Sequence, residues 1–121
     1  MARILIIDDE AMIRNLLVQI LEREGYETVT ASGGKDGIKI YRENPADLII
    51  TDLLMPEKDG IETIMELRRD SQDVKVIAMS GDGKIDPNTY LQIAKTVGAV
   101  KTLAKPIRIK ELLKTVQEAL E

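Results

Sequence analysis

Four polar motifs in this chain each follow directly on an apolar run. Ile4-Leu5-Ile6-Ile7 leads into Asp8-Asp9-Glu10, and Leu48-Ile49-Ile50-Thr51 leads into Asp52. A run ending at Met79 leads into Ser80-Gly81, and one ending at Ala104 leads into Lys105-Pro106. Asp8, Asp9 and Asp52, brought together, would repel and raise one another's pKa. A hard divalent cation resolves that conflict, and Mg²⁺ in particular is held by one or two carboxylates with water and a phosphate oxygen. Lys105 supplies a flexible ammonium suited to a carboxylate or phosphate oxygen. Ser80 supplies a hydroxyl, and Gly81 leaves room beside it. A carboxylate nucleophile, a metal, an ammonium and a hydroxyl make a phosphoryl-transfer site, where catalysis is mostly positioning and charge stabilisation. The carboxylate can itself take the phosphoryl group as an acyl phosphate.

Taken singly, each motif has a plainer reading. Asp8-Asp9-Glu10 could simply open a helix, where acidic residues are favourable. Ser80 could be a loop or capping serine, and Lys105-Pro106 a solvated turn. Asp52 is harder to dismiss, because it ends an apolar run of the kind found in central strands. The joint pattern carries the weight: each polar group ends a different strand on one edge.

Composition narrows the chemistry further. The 121 residues include no His, Cys, Trp or Phe, and three Tyr are the only aromatics. That excludes a His/Cys zinc site, a Ser-His-Asp or Cys-His catalytic set and any disulfide. The 17 Lys and Arg against 21 Asp and Glu give a net charge of −4. An acidic balance with almost no stacking aromatics argues against direct nucleic-acid binding. No apolar run approaches the roughly 20 residues of a membrane span, and the N-terminus lacks the pattern of a signal peptide. The simplest expectation is a cytoplasmic chain that engages no membrane.

The elements that must position these groups alternate between two apolar periodicities. β-Branched runs at Ile4–Ile7, Thr28–Ala31, Leu48–Thr51, Val74–Met79 and Val100–Ala104 predict five strands. Between them, Ile13, Leu16, Leu17, Ile20 and Leu21 form a helical stripe, with Gly25 placed as a C-terminal cap. Ile38 and Tyr41 mark a short helix before Asn44-Pro45, and another opens at Gly60. Asp86-Pro87 reads as an N-cap and first turn for a helix carrying Tyr90, Leu91, Ala94 and Val97. Ile109, Leu112, Leu113, Val116 and Leu120 mark the last helix. Met12, Met55, Met65 and Met79 are assigned to core or loop packing. The alternation predicts an α/β fold, a doubly wound (βα)5 domain with a parallel sheet filling residues 1–121. In the strand order 2-1-3-4-5 the ligand-binding switch point lies between the first and third strands, the two that end in carboxylates.

With these motifs in place, the chain closely resembles the receiver domain of two-component response regulators over essentially its whole length. The matching segments are Ile6-Ile7-Asp8-Asp9-Glu10, Asp52 with Met55-Pro56 and Asp59-Gly60, Met79-Ser80-Gly81, and Lys105-Pro106. The resemblance implies a flavodoxin-like (βα)5 fold and Asp52 as phosphoacceptor. It implies Mg²⁺ bound by Asp9, Asp52 and the backbone carbonyl of Leu54, with Asp8 acting largely through water. Ser80 would be the switch hydroxyl, and Lys105 would contact the phosphoryl group, with a cis Lys105-Pro106 bond. The sequence departs from the family pattern in three places. Thr102 stands at the usual aromatic switch position, Ile107 replaces the aromatic after Lys-Pro, and the segment Ser80–Pro87 is long and rich in Gly and Asp.

The expected function is that of a stand-alone receiver. It would accept a phosphoryl group on Asp52 from a sensor histidine kinase or histidine phosphotransfer protein, with Mg²⁺. It would signal by onward transfer or by contacting a downstream protein through the face of the fourth helix, fifth strand and fifth helix. Two alternatives are an Mg²⁺-dependent aspartyl-phosphate phosphatase and a receiver-like interaction module that is never phosphorylated. A phosphatase usually needs an acidic residue two positions past the nucleophile. Leu54 stands there, which also predicts slow self-dephosphorylation.

Overall fold

In the computed structural model, residues 1–55, 58–81 and 87–121 are described, the side chains of 87, 88 and 90 excepted. Ten elements alternate along the chain: β1 (Arg3–Ile7), α1 (Ala11–Arg23), β2 (Glu27–Ala31), α2 (Gly34–Glu43), β3 (Leu48–Asp52), α3 (Gly60–Asp70), β4 (Val76–Ser80), α4 (Pro87–Val97), β5 (Lys101–Ala104) and α5 (Ile109–Leu120). The strands form one sheet, all parallel, in the order β2-β1-β3-β4-β5.

The apolar runs make central strands because both faces of a parallel sheet are covered by helices. Strands β3 and β4 are buried at every residue. Side chains alternate between the faces and so feed two cores. Leu5, Ile7, Ile49, Val76 and Ala78 pack beneath Ile38 of α2, Ile64 and Leu67 of α3, and Ala94 of α4. Ile4, Ile6, Ile50, Ile77 and Met79 pack beneath Leu17 and Leu21 of α1 and Leu112 and Val116 of α5.

Helix α1 stops where Gly25 was expected to stop it. Gly25 has φ +90° and donates to Glu22 O at 3.1 Å, while Tyr26 N donates to Leu21 O at 3.2 Å. This paired closure needs a residue in the left-handed region, which glycine enters without a Cβ penalty. Gly98, at φ +122°, closes α4 in the same way, with Ala99 N donating to Ala94 O at 2.9 Å.

Several expectations shift. Strand β4 begins at Val76 rather than Val74, and β5 at Lys101 rather than Val100. Helix α2 reaches back to Gly34, through two glycines that local propensity would assign to a loop. Each permits a close approach: a Cβ on Gly37 would lie 2.4 Å from Ile7 Cδ1, and one on Gly34 would lie 2.2 Å from Thr63 Oγ1. Met55 and Met79 are buried as expected, but Met12 is 80% exposed and Met65 is exposed as well. Leu16 and Ile109, both placed in apolar stripes, are also exposed; Leu16 lines an open groove, and Ile109 is the first residue of α5. The Asp86 cap, Pro56, the Tyr90 side chain and most of the Ser80–Pro87 segment lie outside the described residues. Among the described residues, no helix is long and apolar enough to cross a membrane.

Candidate functional site

The carboxyl edge of the sheet assembles the polar motifs from four strands. In the β1–β3 ladder Ile7 is in register with Thr51, so Asp8 and Asp52 emerge side by side one step later. Both are buried, at 0% and 5% exposure, whereas Asp9 is exposed. Carboxylate oxygens of Asp8, Asp9 and Asp52 lie within 4.8 Å of one another. The Lys105 ammonium reaches in from the end of β5, 3.4 Å from Asp8 Oδ2 and 3.5 Å from Asp52 Oδ1. Its own backbone N–H donates to Ser80 O at 2.8 Å, which ties the β5 exit to the end of β4. The Lys105-Pro106 bond is cis, as the resemblance implied.

Ser80 is buried at the end of β4, and its neighbour Met79 is in register with Asp52. Leu54 is half-buried in the segment leaving β3, on the same edge. The six residues anticipated for the site therefore all lie at the carboxyl ends of the strands or just beyond, and the side chains of Asp8, Asp9, Asp52 and Lys105 converge.

Electrostatics single out Asp52. Burial pushes its pKa from the ordinary 3.8 up to about 6, with the Asp8 and Asp9 charges adding to the rise and Lys105 opposing it. Three carboxylates against one ammonium leave two negative charges in a cluster whose Asp8, Asp52 and Lys105 side chains are buried. That is the charge a divalent cation would balance, and every side-chain donor is a hard oxygen. The residues fit Mg²⁺.

One further contributor carried no readable signal, and the Asp59-Gly60 segment takes on a definite structural role. Arg14 Nη1 donates to the Asp8 backbone carbonyl at 2.7 Å, and a backbone carbonyl has no signature in a sequence. Gly60 lies against the main chain of Asp52 and Leu53, where a Cβ would come within 2.3 Å of Asp52 O and 2.6 Å of Leu53 Cα. Asp59 caps α3 by accepting from Glu62 N at 2.9 Å, which holds this helix start against the strand end. Beside the site, a groove of about 360 Å³ runs between α1 and the β5 exit. Ile13, Leu16, Leu17, Pro106 and Ile107 line it, with Lys105 on its wall.

Comparison with known proteins identifies the arrangement. The response regulator receiver domain family matches residues 4–117. Sporulation initiation phosphotransferase F of Bacillus subtilis is 34% identical over 118 residues, a match spanning 98% of this chain and 93% of that protein. A probable transcriptional regulator of Porphyra purpurea, ycf27, is 38% identical over 119 residues, and there the chain spans only 47% of its relative's length. The crystal structure of a response regulator receiver domain protein from Clostridium thermocellum superposes with a TM-score of 0.91 at 32% identity, covering 99% of this chain and 94% of that one. With its strand order and its acidic pocket of Asp8, Asp9 and Asp52, this chain belongs to the receiver domain family of two-component response regulators.

Proposed function

We propose that Asp52 is the phosphoacceptor and that residues 1–121 act as a single receiver domain. The observation that carries this is the burial of Asp52 within 3.5 Å of the Lys105 ammonium and within 4.8 Å of two further carboxylates. An Asp52 oxygen attacks the phosphorus of a phosphohistidine. The P–O bond forms as the P–N bond breaks, and the imidazole leaves with the electron pair and takes up a proton. Residues 1–121 contain no histidine, so the phosphohistidine is supplied from outside this domain, by a sensor histidine kinase or a histidine phosphotransfer protein. With a pKa of about 6, Asp52 is mostly ionised at pH 7 and available as a nucleophile. Asp9, Asp52 and the Leu54 carbonyl would hold Mg²⁺, with the Asp8 carboxylate completing the acidic cluster beside them. The ion supplies charge neutralisation on the transferred group when bound. Lys105 and Ser80 meet the phosphoryl oxygens.

The apolar groove adjoins Lys105, which supports docking of the donor there. A shallow depression of about 270 Å³ lined by Leu91, Gln92 and Lys95 of α4 and Thr102 of β5 supports an outgoing contact through the face of α4, β5 and α5. The relative named a phosphotransferase supports onward transfer as a second route. The lack of cysteine fits a cytoplasmic setting.

Incubation with acetyl phosphate and Mg²⁺, followed by intact-mass measurement, tests the assignment. The expected result is one added phosphoryl group that depends on Mg²⁺ and disappears in Asp52→Ala. No gain in the wild type, or an equal gain in the variant, defeats it. Leu54 has no proton to exchange and cannot orient an attacking water, so the acyl phosphate should persist well beyond seconds. Decay within seconds would instead favour phosphatase-like chemistry.

A further inference from the structure

We propose that Arg14 is a positioning residue for the acidic cluster: by holding the Asp8 carbonyl, it fixes the peptide between Asp8 and Asp9 and so sets how the two carboxylates present themselves to the cation. This rests on the Mg²⁺ reading above.

Asp8 is gripped at three points besides the Lys105 ammonium at its Oδ2. Its backbone N–H donates to Ala31 O at 3.2 Å, which extends the β1–β2 ladder by one step. Its carboxylate Oδ1 accepts from Glu10 N at 2.9 Å. Its carbonyl accepts from Arg14 Nη1 at 2.7 Å. A peptide unit is a rigid plane, so fixing the Asp8 oxygen also fixes the direction in which the chain enters Asp9. Asp9 is exposed, and so has less packing to orient it than its buried neighbours.

Arg14 is well placed for the task. Its backbone N–H donates to Glu10 O at 3.1 Å, in the first turn of α1, and helical side chains lean toward the N-terminus of their helix. The guanidinium therefore reaches back over the turn to the loop it steadies. It is half-buried, so helix and loop move as one piece.

The sign of its effect on metal binding separates positioning from simple charge. Arg14 is a cation beside a cation site. By Coulomb's law alone, neutralising it should tighten Mg²⁺ binding. If it acts by geometry, removing it should weaken binding, as loss of a group that orients a metal ligand does, by about tenfold or more.

The test is calorimetric titration of Mg²⁺ into the wild type, Arg14→Met and Arg14→Lys, with amide NMR spectra of the metal-free proteins. Methionine keeps an apolar stem and removes the donor, whereas lysine restores a cationic donor. Arg14→Met should weaken Mg²⁺ binding by about tenfold and shift the metal-free Asp9 and Glu10 amides, with strand amides unmoved. Arg14→Lys should recover most of both. Equal or tighter Mg²⁺ binding in Arg14→Met, or unmoved Asp9 and Glu10 amides, overturns the proposal. A wild type that binds no Mg²⁺ overturns the metal reading itself, and the positioning role falls with it.

Discussion

At the amino ends of the strands, ionisable groups meet in water; at the carboxyl ends, they meet inside the protein. Arg3 pairs with Glu27 across β1 and β2, with side chains 31% and 56% exposed. The Arg3 backbone N–H donates to Asp47 Oδ2 at 2.7 Å, and Lys75 Nζ lies 3.5 Å from the Glu121 carbonyl. At the other edge the Lys105 contacts are no shorter, at 3.4 and 3.5 Å, but the side chains of Lys105 and Asp8 are 6% and 0% exposed. Contact length does not rank these interactions. Water screens the first set, and exposed pairs contribute about 0–1 kcal/mol. Burial amplifies the second set and pushes Asp52 up to about 6. One edge of the sheet uses charge for solubility and small increments of stability. The other concentrates charge in the buried cluster of Asp8, Asp52 and Lys105, the site proposed above for a phosphoryl group and a metal.

The sharpest way to break this comparison is to remove the central cation. Lys105→Met should slow phosphorylation by acetyl phosphate about 10²-fold, the scale expected when a preorganised charge aimed at the reacting group is lost. Rates are read from intact mass against time. An unchanged rate would mean the buried edge is no more functional than the exposed one.

Next in size is a pH effect on stability. Asp52 has a folded-state pKa of about 6 against 3.8 ordinarily, so between those values the native state holds more protons than the unfolded state. Its contribution is fully present below pH 3.8, declines as pH rises through 6, and stays low above. In metal-free buffer, Asp52→Asn should therefore match the wild type near pH 4 and exceed it near pH 7, by roughly 1–3 kcal/mol. Paired urea melts at the two pH values would show this. Mg²⁺ should narrow the gap by stabilising the wild type, because the ion binds only the folded form. A gap that shrinks as pH rises in metal-free buffer would have the wrong sign.

The smallest effect belongs to the amino edge. Arg3→Ala should cost about 1 kcal/mol or less and leave the phosphorylation rate unchanged. A larger loss in urea melts, or a slowed reaction, would erase the distinction between the edges.

Much of the carboxyl edge was legible in the sequence for a physical reason. Central parallel strands are apolar on both faces, so the first polar residue marks where a strand leaves the core. Asp8, Asp52 and Lys105 announce themselves in this way, and strand order then brings them together. Helix α2 was foreshortened because Gly34 and Gly37 serve neighbours distant in sequence, Thr63 and Ile7, and local propensity is blind to them. Periodicity placed Leu16 and Ile109 on apolar stripes, but it cannot register that Leu16 faces an open groove or that Ile109 only begins its helix. Arg14 stayed hidden because its partner is main chain. Gly60 read as a helix start and as part of a matching segment, but not as the residue whose lack of a Cβ lets α3 lie against Asp52.

The ammonium and the buried Asp8 carboxylate it approaches are separated by 97 positions in the chain. Lys105 is delivered by an edge strand that pairs only with β4, which in turn pairs with β3. During synthesis the Asp52 carboxylate is made 53 positions before Lys105, and β5 has nowhere to dock until β4 is in place. A partly folded chain thus carries Asp52 without the cation that completes its site. The site is therefore assembled by the last strand of the chain, and its buried ion pairs exist only once the whole sheet is in place.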